Sequence, residues 1–294
     1  GDDVSVNPEG ALRRTRELIE ERRPVLYEAA FLRDGVICVV DILVLGERGW
    51  RAFEVKSGTG MRPSYIDDVS LQYLVMRRCG LPVESFSLLY LNRNYVRTRQ
   101  IEPRAMFIEK PVLERAIKNL DSTGENIEKL KRALGQPGIP EADIGERCFA
   151  PYRCDFISHC WGDVPEDSVF DLTGFPRCRA RELYCSGIRT IADIPPQEPL
   201  TEAQRIQRDC VINRVDHVDV RGIAGFVNSL NYPLLFMDFE AVMPAVPLYE
   251  RTSPYQHIPF QYSVHSVERP GVGARHREFL SDGKGDPRRE FAMR

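Results

Sequence analysis

Between Val25 and Val55 the apolar residues come in short β-rich runs, VLYEAAF, GVICVVDILVL and GWRAFEVKS, divided by Asp34-Gly35 and by Gly46 to Gly49. Such runs between turn residues predict a three-stranded meander. On either side the period lengthens. Leu12 to Glu21 places apolar residues at helical spacing among charges and is closed by Pro24. Pro63 to Cys79 reads as a second helix through Tyr65, Val69, Leu71, Leu74 and Val75, and Phe86 to Leu91 returns to an apolar strand. A helix between strands makes this region α/β.

Further along, Val112 to Leu134 is a charged helical stretch with a bend predicted near Ser122 to Gly124, ended by Gln136 to Pro140. A cysteine-rich segment follows. Phe170 to Pro195 predicts a short helix, a glycine turn and a second short helix, and Pro195 to Pro199 reads as a linker. Pro233 to Glu240 is an apolar strand that opens a new unit. No internal repeat or low-complexity segment interrupts this order.

The length of 294 residues suggests about two domains. With 43% hydrophobic and 28% charged residues, the chain falls among folded globular proteins rather than disordered or fibrous ones. A net charge of -3 provides no global positive field, so any nucleic-acid contact must rest on local patches. The apolar stretches Val36 to Val40 and Ile42 to Leu45 are far shorter than the roughly 20 residues of a membrane span, which argues against a membrane protein. The opening GDDVSVNPEG has no initiator Met and no apolar signal core. The expectation is a cytoplasmic chain cut from something longer. Its eight cysteines then read as thiols or metal ligands rather than disulfides.

Glu54 and Lys56 stand two apart on a predicted strand and so project to one side of it. Asp41 lies inside the apolar run of the preceding strand, where a buried charge needs a partner. A hard divalent cation would serve, held by Asp41, Glu54 and the Val55 carbonyl, with Lys56 beside it to orient water or offset charge on a phosphate. The plainer reading ends a strand at Asp41 and pairs Glu54 with Lys56 on a solvated face.

The surroundings favour the first reading. VVDILVL, then FEVKSGT, then YIDDVSLQYLVMRRCGLPV resembles the RecB-like branch of PD-(D/E)XK nucleases, and within it the CRISPR-associated exonucleases that carry an iron–sulfur cluster. The resemblance runs over roughly residues 25–161. It implies a restriction-endonuclease-like core, a mixed sheet flanked by helices, that hydrolyses DNA phosphodiester bonds with Mg²⁺ or Mn²⁺ in repair, recombination or defence. It implies Asp41 and Glu54 as metal ligands, Lys56 as catalytic, and Gln72, with Tyr73 beside it, as the helix glutamine that follows the core motif. Glu28 reads either as an auxiliary acid or as a surface carboxylate at a strand edge. The family's further acid or histidine on a helix before the first strand is missing, since Glu17, Glu20 and Glu21 lack its context.

Cys148, Cys154 and Cys160 recur at spacings of six in RCFAPYRCDFISHCW, beside His159. Zinc could take these four ligands, although the segment lacks the short CxxC knuckle of structural zinc sites. The nuclease resemblance implies instead a 4Fe-4S cluster. Its fourth thiolate would come from before the first residue, and the cluster would tie the ends of the domain together. Cys38, Cys79, Cys178, Cys185 and Cys210 read as ordinary thiols.

Two later segments bear on nucleic acid. GFPRCRARELYCSGIRTIADIP resembles a helix-hairpin-helix element, its turn at Ser186 to Ile188 open to a phosphate and its charge supplied by Arg177, Arg179, Arg181 and Arg189. A hairpin with a solvated basic face is the alternative. Arg93 to Arg104 interleaves Tyr95 with arginines and suits either a backbone groove or a plain surface.

In LLFMDFEAV, Asp238 and Glu240 share a strand face, and DxE at the end of an apolar strand resembles the first motif of RNase H-like DEDD exonucleases. Together with PLYERTSPYQHIPFQYSVH, the chain resembles a bacterial family that pairs a RecB-like nuclease with a DEDD-like domain. The further acids of that second site are expected beyond Arg294. The expected organisation is a nuclease core with its cysteine segment over residues 1–165, a helical linker over 166–228 and the start of an RNase H-like domain over 229–294. DNA is the expected partner. A non-catalytic nucleic-acid-binding scaffold is the alternative function, against which the intact set of Asp41, Glu54 and Lys56 argues.

Overall fold

Asn7 caps the first helix, α1 (Pro8–Glu20): its side chain accepts a hydrogen bond from the Gly10 N–H at 3.0 Å, and Pro8 sits where its missing N–H leaves nothing unpaired. The structure, a computed structural model, describes residues 7–140 and 142–294, so part of the opening stretch lies outside the described residues. Thr15 of α1 is buried and accepts from the Ala30 N–H at 3.0 Å, which fastens the helix to the first strand.

The meander forms as β1 (Val25–Arg33), β2 (Val36–Leu45) and β3 (Trp50–Lys56), paired antiparallel. Next come α2 (Pro63–Arg78) and β4 (Val83–Leu91), which pairs parallel with β3, and β5 (Phe107–Pro111), antiparallel to β4. The result is a mixed five-stranded sheet in the order β1-β2-β3-β4-β5 with helices packed on it. A parallel neighbour cannot be reached by a hairpin, so α2 is the crossover that β3 and β4 require. It ends in a Schellman motif, in which Leu81 N–H reaches the Met76 carbonyl and Gly80 N–H the Arg77 carbonyl. Gly80 carries the positive φ of 81° which that motif asks for. Tyr65, Ile66, Val69, Val75 and Met76 bury the inner face of α2 against Val40, Leu43, Ala52, Phe86 and Leu88. Each such side chain contributes about 2 kcal/mol.

The charged stretch after β5 divides into α3 (Leu113–Lys118) and α4 (Leu120–Gly135). The break falls at Asn119 rather than near Ser122 to Gly124. Ser122 and Thr123 instead donate to the Asn119 carbonyl at 2.9 and 2.8 Å and start the second helix.

By contact density the chain forms two units, one comprising residues up to Gly135 with Tyr232–Arg294, the other Gln136–Asn231. This grouping departs from the three expected segments. The last part carries a three-stranded antiparallel sheet, β6 (Leu234–Val242), β7 (Ile258–Val267) and β8 (Arg275–Leu280), in that order. Phe239, Tyr262 and Phe279 line one of its faces, and Phe291 of the closing helix Arg288–Met293 packs on all three. It groups with the first sheet because Arg97, in the loop after β4, donates to the Pro247 and Leu248 carbonyls at 2.8 and 2.6 Å. Tyr95, in that same loop, is buried, and its hydroxyl accepts from the Glu102 N–H. Two residues offered by the sequence for a DNA groove thus hold the fold.

The second unit holds the cysteine segment and the helices α5 (Arg177–Cys185), α6 (Glu202–Asn213) and α7 (Val220–Ser229). Val169, Leu172, Ala180, Leu183, Ile191, Ile194 and Leu200 form its core. After the Gly187 turn, the predicted second short helix is a single 3₁₀ turn, Ile191–Asp193, capped by Thr190. No helix among the described residues is long and apolar enough to cross a membrane.

Cys38 on β2 is buried, and burial pushes its thiol up to about 12, followed by the charges of Cys79, Asp68 and Glu54. The thiolate is the reactive form. At pH 8, iodoacetamide should therefore modify the exposed Cys178 and Cys185 and leave Cys38 unlabelled until denaturant is added, as read by peptide mass spectrometry. Labelling of native Cys38 at a comparable rate would contradict this burial.

Candidate functional site

The antiparallel ladders open at one row. Partners Tyr27↔Ile42 and Ala29↔Val40 bracket Glu28 and Asp41, and the β2–β3 ladder stops at Ile42↔Phe53, one position short of Asp41 and Glu54. Glu28, Asp41 and Glu54 therefore occupy neighbouring positions on three adjacent strands. Glu28 has φ 52°, an uncommon conformation for a side chain other than glycine and a kind of strain that gathers at functional sites. The core positions change parity there, from Leu26 to Ala29 and Phe31 on β1 and from Val40 to Leu43 on β2. In place of a ladder bond, Asp41 Oδ2 accepts from the Val55 N–H at 2.6 Å.

Glu54 is only 7% exposed. Its Oε1 accepts from Lys56 Nζ at 2.7 Å and its Oε2 from Gln72 Nε2 at 2.9 Å. Lys56 Nζ also donates to Asp68 Oδ2 at 2.5 Å, and Gln72 Nε2 to Asp68 Oδ1 at 3.1 Å. Asp68 and Gln72 are one turn apart on α2 and so present both side chains to the same spot. Lys56 Nζ further lies 5.2 Å from the Tyr65 ring centroid.

Two carboxylates, Glu54 and Asp68, thus contact one ammonium, and Asp41 lies close by on the Val55 N–H. Burial pushes the Glu54 carboxyl up to about 7; the Lys56 and Gln72 hydrogen bonds oppose that, and the Asp41 and Asp68 charges add to it. Burial pulls the Lys56 ammonium down, but its hydrogen bonds to Asp68 and Glu54 outweigh this and the net direction is up. The two upward shifts have different leading causes, burial at Glu54 and hydrogen bonds to carboxylates at Lys56.

The donors fit a hard divalent cation in kind. Asp41, Glu54 and the Val55 carbonyl are all oxygen, and one or two carboxylates are what Mg²⁺ commonly takes from protein. Gln72 Oε1 is buried beside them without a hydrogen-bond partner. Among the described residues no three His, Cys, Asp or Glu side chains are gathered in a geometry that holds a metal ion, and here the Lys56 ammonium stands between Glu54 and Asp68.

The structure thus brings Asp41, Glu54, Lys56 and Gln72 together and sets Glu28 one strand away, its side chain exposed. Tyr73 points elsewhere, packed against the sheet core. Asp68 is the residue that sequence reasoning missed. Its signal was its spacing of four before Gln72 in DDVSLQ, which puts two polar side chains on one helix face.

Cys148 is buried on the turn Glu146–Cys148, Cys154 N–H donates to the Cys148 carbonyl at 2.9 Å, and Cys160 ends the single helical turn Ile157–Cys160. That backbone bond folds the segment on itself, although the three thiols are not gathered as one ligand set. The arginines of the hairpin region have partners inside their own unit. Arg179 binds Glu198 and Glu182, Arg181 binds Asp143, Arg177 lies 4.0 Å from the Phe149 ring centroid and Arg189 5.3 Å from that of Tyr184.

Asp238 and Glu240 share the β6 face opposite Ser263 and Gln261 and are exposed. On that face Ser263 Oγ lies 3.0 Å from His276 Nε2, and His276 stacks on His265 at 4.5 Å. Residues 235–294, which take in all of this sheet but Leu234, match a family model described as Domain of unknown function (DUF2779). No curated protein matches the chain.

The Asp68 contact generates a test. In Asp68→Asn, Lys56 loses one of its two carboxylate partners, and its ammonium should titrate at lower pH than in the parent protein, followed by NMR of side-chain-labelled lysine. An unchanged titration would mean that the contact is not made in solution.

Proposed function

We propose that this protein is a metal-dependent nuclease that hydrolyses DNA phosphodiester bonds, acting as an exonuclease in the cytoplasm. The observation that carries the reading is the acid row of Glu28, Asp41 and Glu54 at an opened strand ladder, with Lys56 and Gln72 converging on Glu54. A restriction-endonuclease-like core agrees with the mixed sheet and its crossover helix. An RNase H-like start agrees with the antiparallel β6-β7-β8 sheet bearing Asp238 and Glu240 on its first strand.

In this reading Asp41, Glu54 and the Val55 carbonyl would hold Mg²⁺ or Mn²⁺. The cation, when bound, offsets charge on the phosphate and makes water a better nucleophile. The protein's own groups do the rest. Gln72 fixes the Glu54 carboxylate by its amide N–H. Asp68 holds the Lys56 ammonium at the site, where it can orient an attacking water and stabilise negative charge on the phosphate oxygens. Glu28 stands one strand away as a further acid. Cys148, Cys154 and Cys160 would be the ligands of a 4Fe-4S staple, with zinc as the alternative metal.

A non-catalytic nucleic-acid-binding scaffold is disfavoured because the basic residues suited to such a surface, Arg97, Arg179 and Arg181, are engaged within the fold.

Incubation with end-labelled single-stranded and duplex DNA in Mg²⁺ or Mn²⁺ should release labelled products. Lys56→Ala should reduce the rate by about a hundredfold or more, the scale seen when a preorganised stabilising group is removed, while Asp238→Ala should leave it nearly unchanged. The reverse pattern would move catalysis to the β6 site, and no cleavage under any condition would favour the scaffold. Independently, protein purified without oxygen should be brown and contain iron and acid-labile sulfide. A colourless protein with stoichiometric zinc would assign the cysteines to zinc.

A further inference from the structure

The segment between β6 and β7 runs back over the first sheet and is fastened there at several points. Arg97 N–H donates to the Thr252 carbonyl at 2.9 Å and Arg251 N–H to the Arg97 carbonyl at 2.8 Å, a two-way backbone pair between residues far apart in sequence. The Arg97 guanidinium adds its bonds to Pro247 and Leu248, and Thr252, 1% exposed, donates from its hydroxyl to the Tyr249 carbonyl at 2.6 Å. Two residues of this strap take the left-handed conformation, Arg251 at φ 59° and Tyr255 at φ 58°. Residues other than glycine stay in that region only where their surroundings hold them.

Tyr255 is the far end of the strap. Its ring packs on the cluster of Leu91, Tyr95 and Met106, and its hydroxyl donates to the Ser57 carbonyl at 2.6 Å across 198 residues of sequence. Ser57 follows Lys56, the last residue of β3. One residue further, the Gly58 carbonyl accepts from Leu91 N–H at 3.0 Å. The chain leaving β3 is therefore held at two successive carbonyls, one by its own sheet and one by the strap.

We propose that Tyr255 is a positioning residue for Lys56: by fixing the Ser57 carbonyl it sets where β3 ends, and so keeps the Lys56 side chain between Glu54 and Asp68. The catalytic consequence rests on the nuclease reading above. Lys56 stands at a strand terminus, and the residues beyond it, Ser57 to Gly60, include two glycines that offer little stiffness of their own. A displacement of well under an ångström is enough to weaken a short charge-assisted hydrogen bond and the alignment it provides. The strap also joins the β6–β7 connection, which begins shortly after Glu240, to the residue that follows Lys56.

The test is Tyr255→Phe in the full chain, which removes the hydroxyl and keeps the ring in its apolar cluster. Two measurements are taken: DNA cleavage with Mn²⁺, and the rate at which Lys56 is acetylated by an N-hydroxysuccinimide ester, read by mass spectrometry. The first is expected to show kcat lowered about tenfold with KM for DNA little changed. The second needs no nuclease activity and should show Lys56 modified several-fold faster. Phe291→Leu serves as control, because the ring partners of Phe291 are Phe239, Tyr262 and Phe279 of the β6–β8 sheet rather than the Tyr255 ring. It should leave Lys56 acetylation unchanged.

Equal acetylation of Lys56 in the parent and in Tyr255→Phe overturns the proposal, as does an equal increase in Phe291→Leu, which would signify general loosening. If the parent protein cleaves no DNA while Tyr255→Phe still exposes Lys56, the nuclease reading fails and the positioning of Lys56 by Tyr255 stands.

Discussion

A carboxylate that is almost fully withdrawn from water must find positive charge or take up a proton, and Glu54 is placed in that position by the sheet itself. Its strand neighbours Ala52 and Phe53 are buried, so the backbone cannot turn Glu54 outward without exposing them. Lys56 and Gln72 partner it, while burial and, to a lesser extent, the nearby Asp41 and Asp68 charges push its carboxyl up. Such an arrangement lowers stability when left uncompensated. In the proposed nuclease reading, a bound cation would offset that charge.

The sheet topology follows from the same need. A parallel β3–β4 pair forces a crossover, and the crossover lays α2 over the end of β3. Only a helix in that place can deliver Asp68 and Gln72, one turn apart, onto Glu54 and Lys56. The opened ladder on the other side lets Asp41 bond the Val55 N–H with its side chain and leaves Glu28 in a strained conformation beside it. The secondary structure is therefore least regular on β1 and β2 where the chemistry is densest, while the core around Val40, Leu43 and Phe86 stays closely packed.

In the second unit the charges serve a different end. Arg179 holds Glu198, whose carboxyl that pairing lowers, and three capping pairs, Ser168 with Asp171, Thr190 with Asp193 and Thr201 with Gln204, close its short elements. Short elements carry few internal hydrogen bonds, so their ends must be satisfied by side chains. Arginines that look like a basic surface in the sequence are used up in this way. The exposed apolar face of α7, with Val220, Ile223 and Phe226, has no such compensation among the described residues.

The sequence by itself determined the elements. Period-two runs divided by Asp34-Gly35 and the glycines around Arg48 give β1 to β3, the helical spacing from Tyr65 to Val75 gives α2, and ExK on one strand face gives half of the candidate site, because these are local regularities of backbone geometry. Tertiary structure decided the rest. Asp68 joined the site only when α2 crossed β3, since nothing in DDVSLQ states which of its faces meets a lysine. Tyr95 and Arg97 became structural only when the β6–β7 segment folded back onto them, a contact across some 150 residues that no local pattern encodes. Tyr255 meets Ser57 for the same reason: hydrogen bonds between distant segments depend on where the packed elements come to rest, and that position is fixed by the whole core at once.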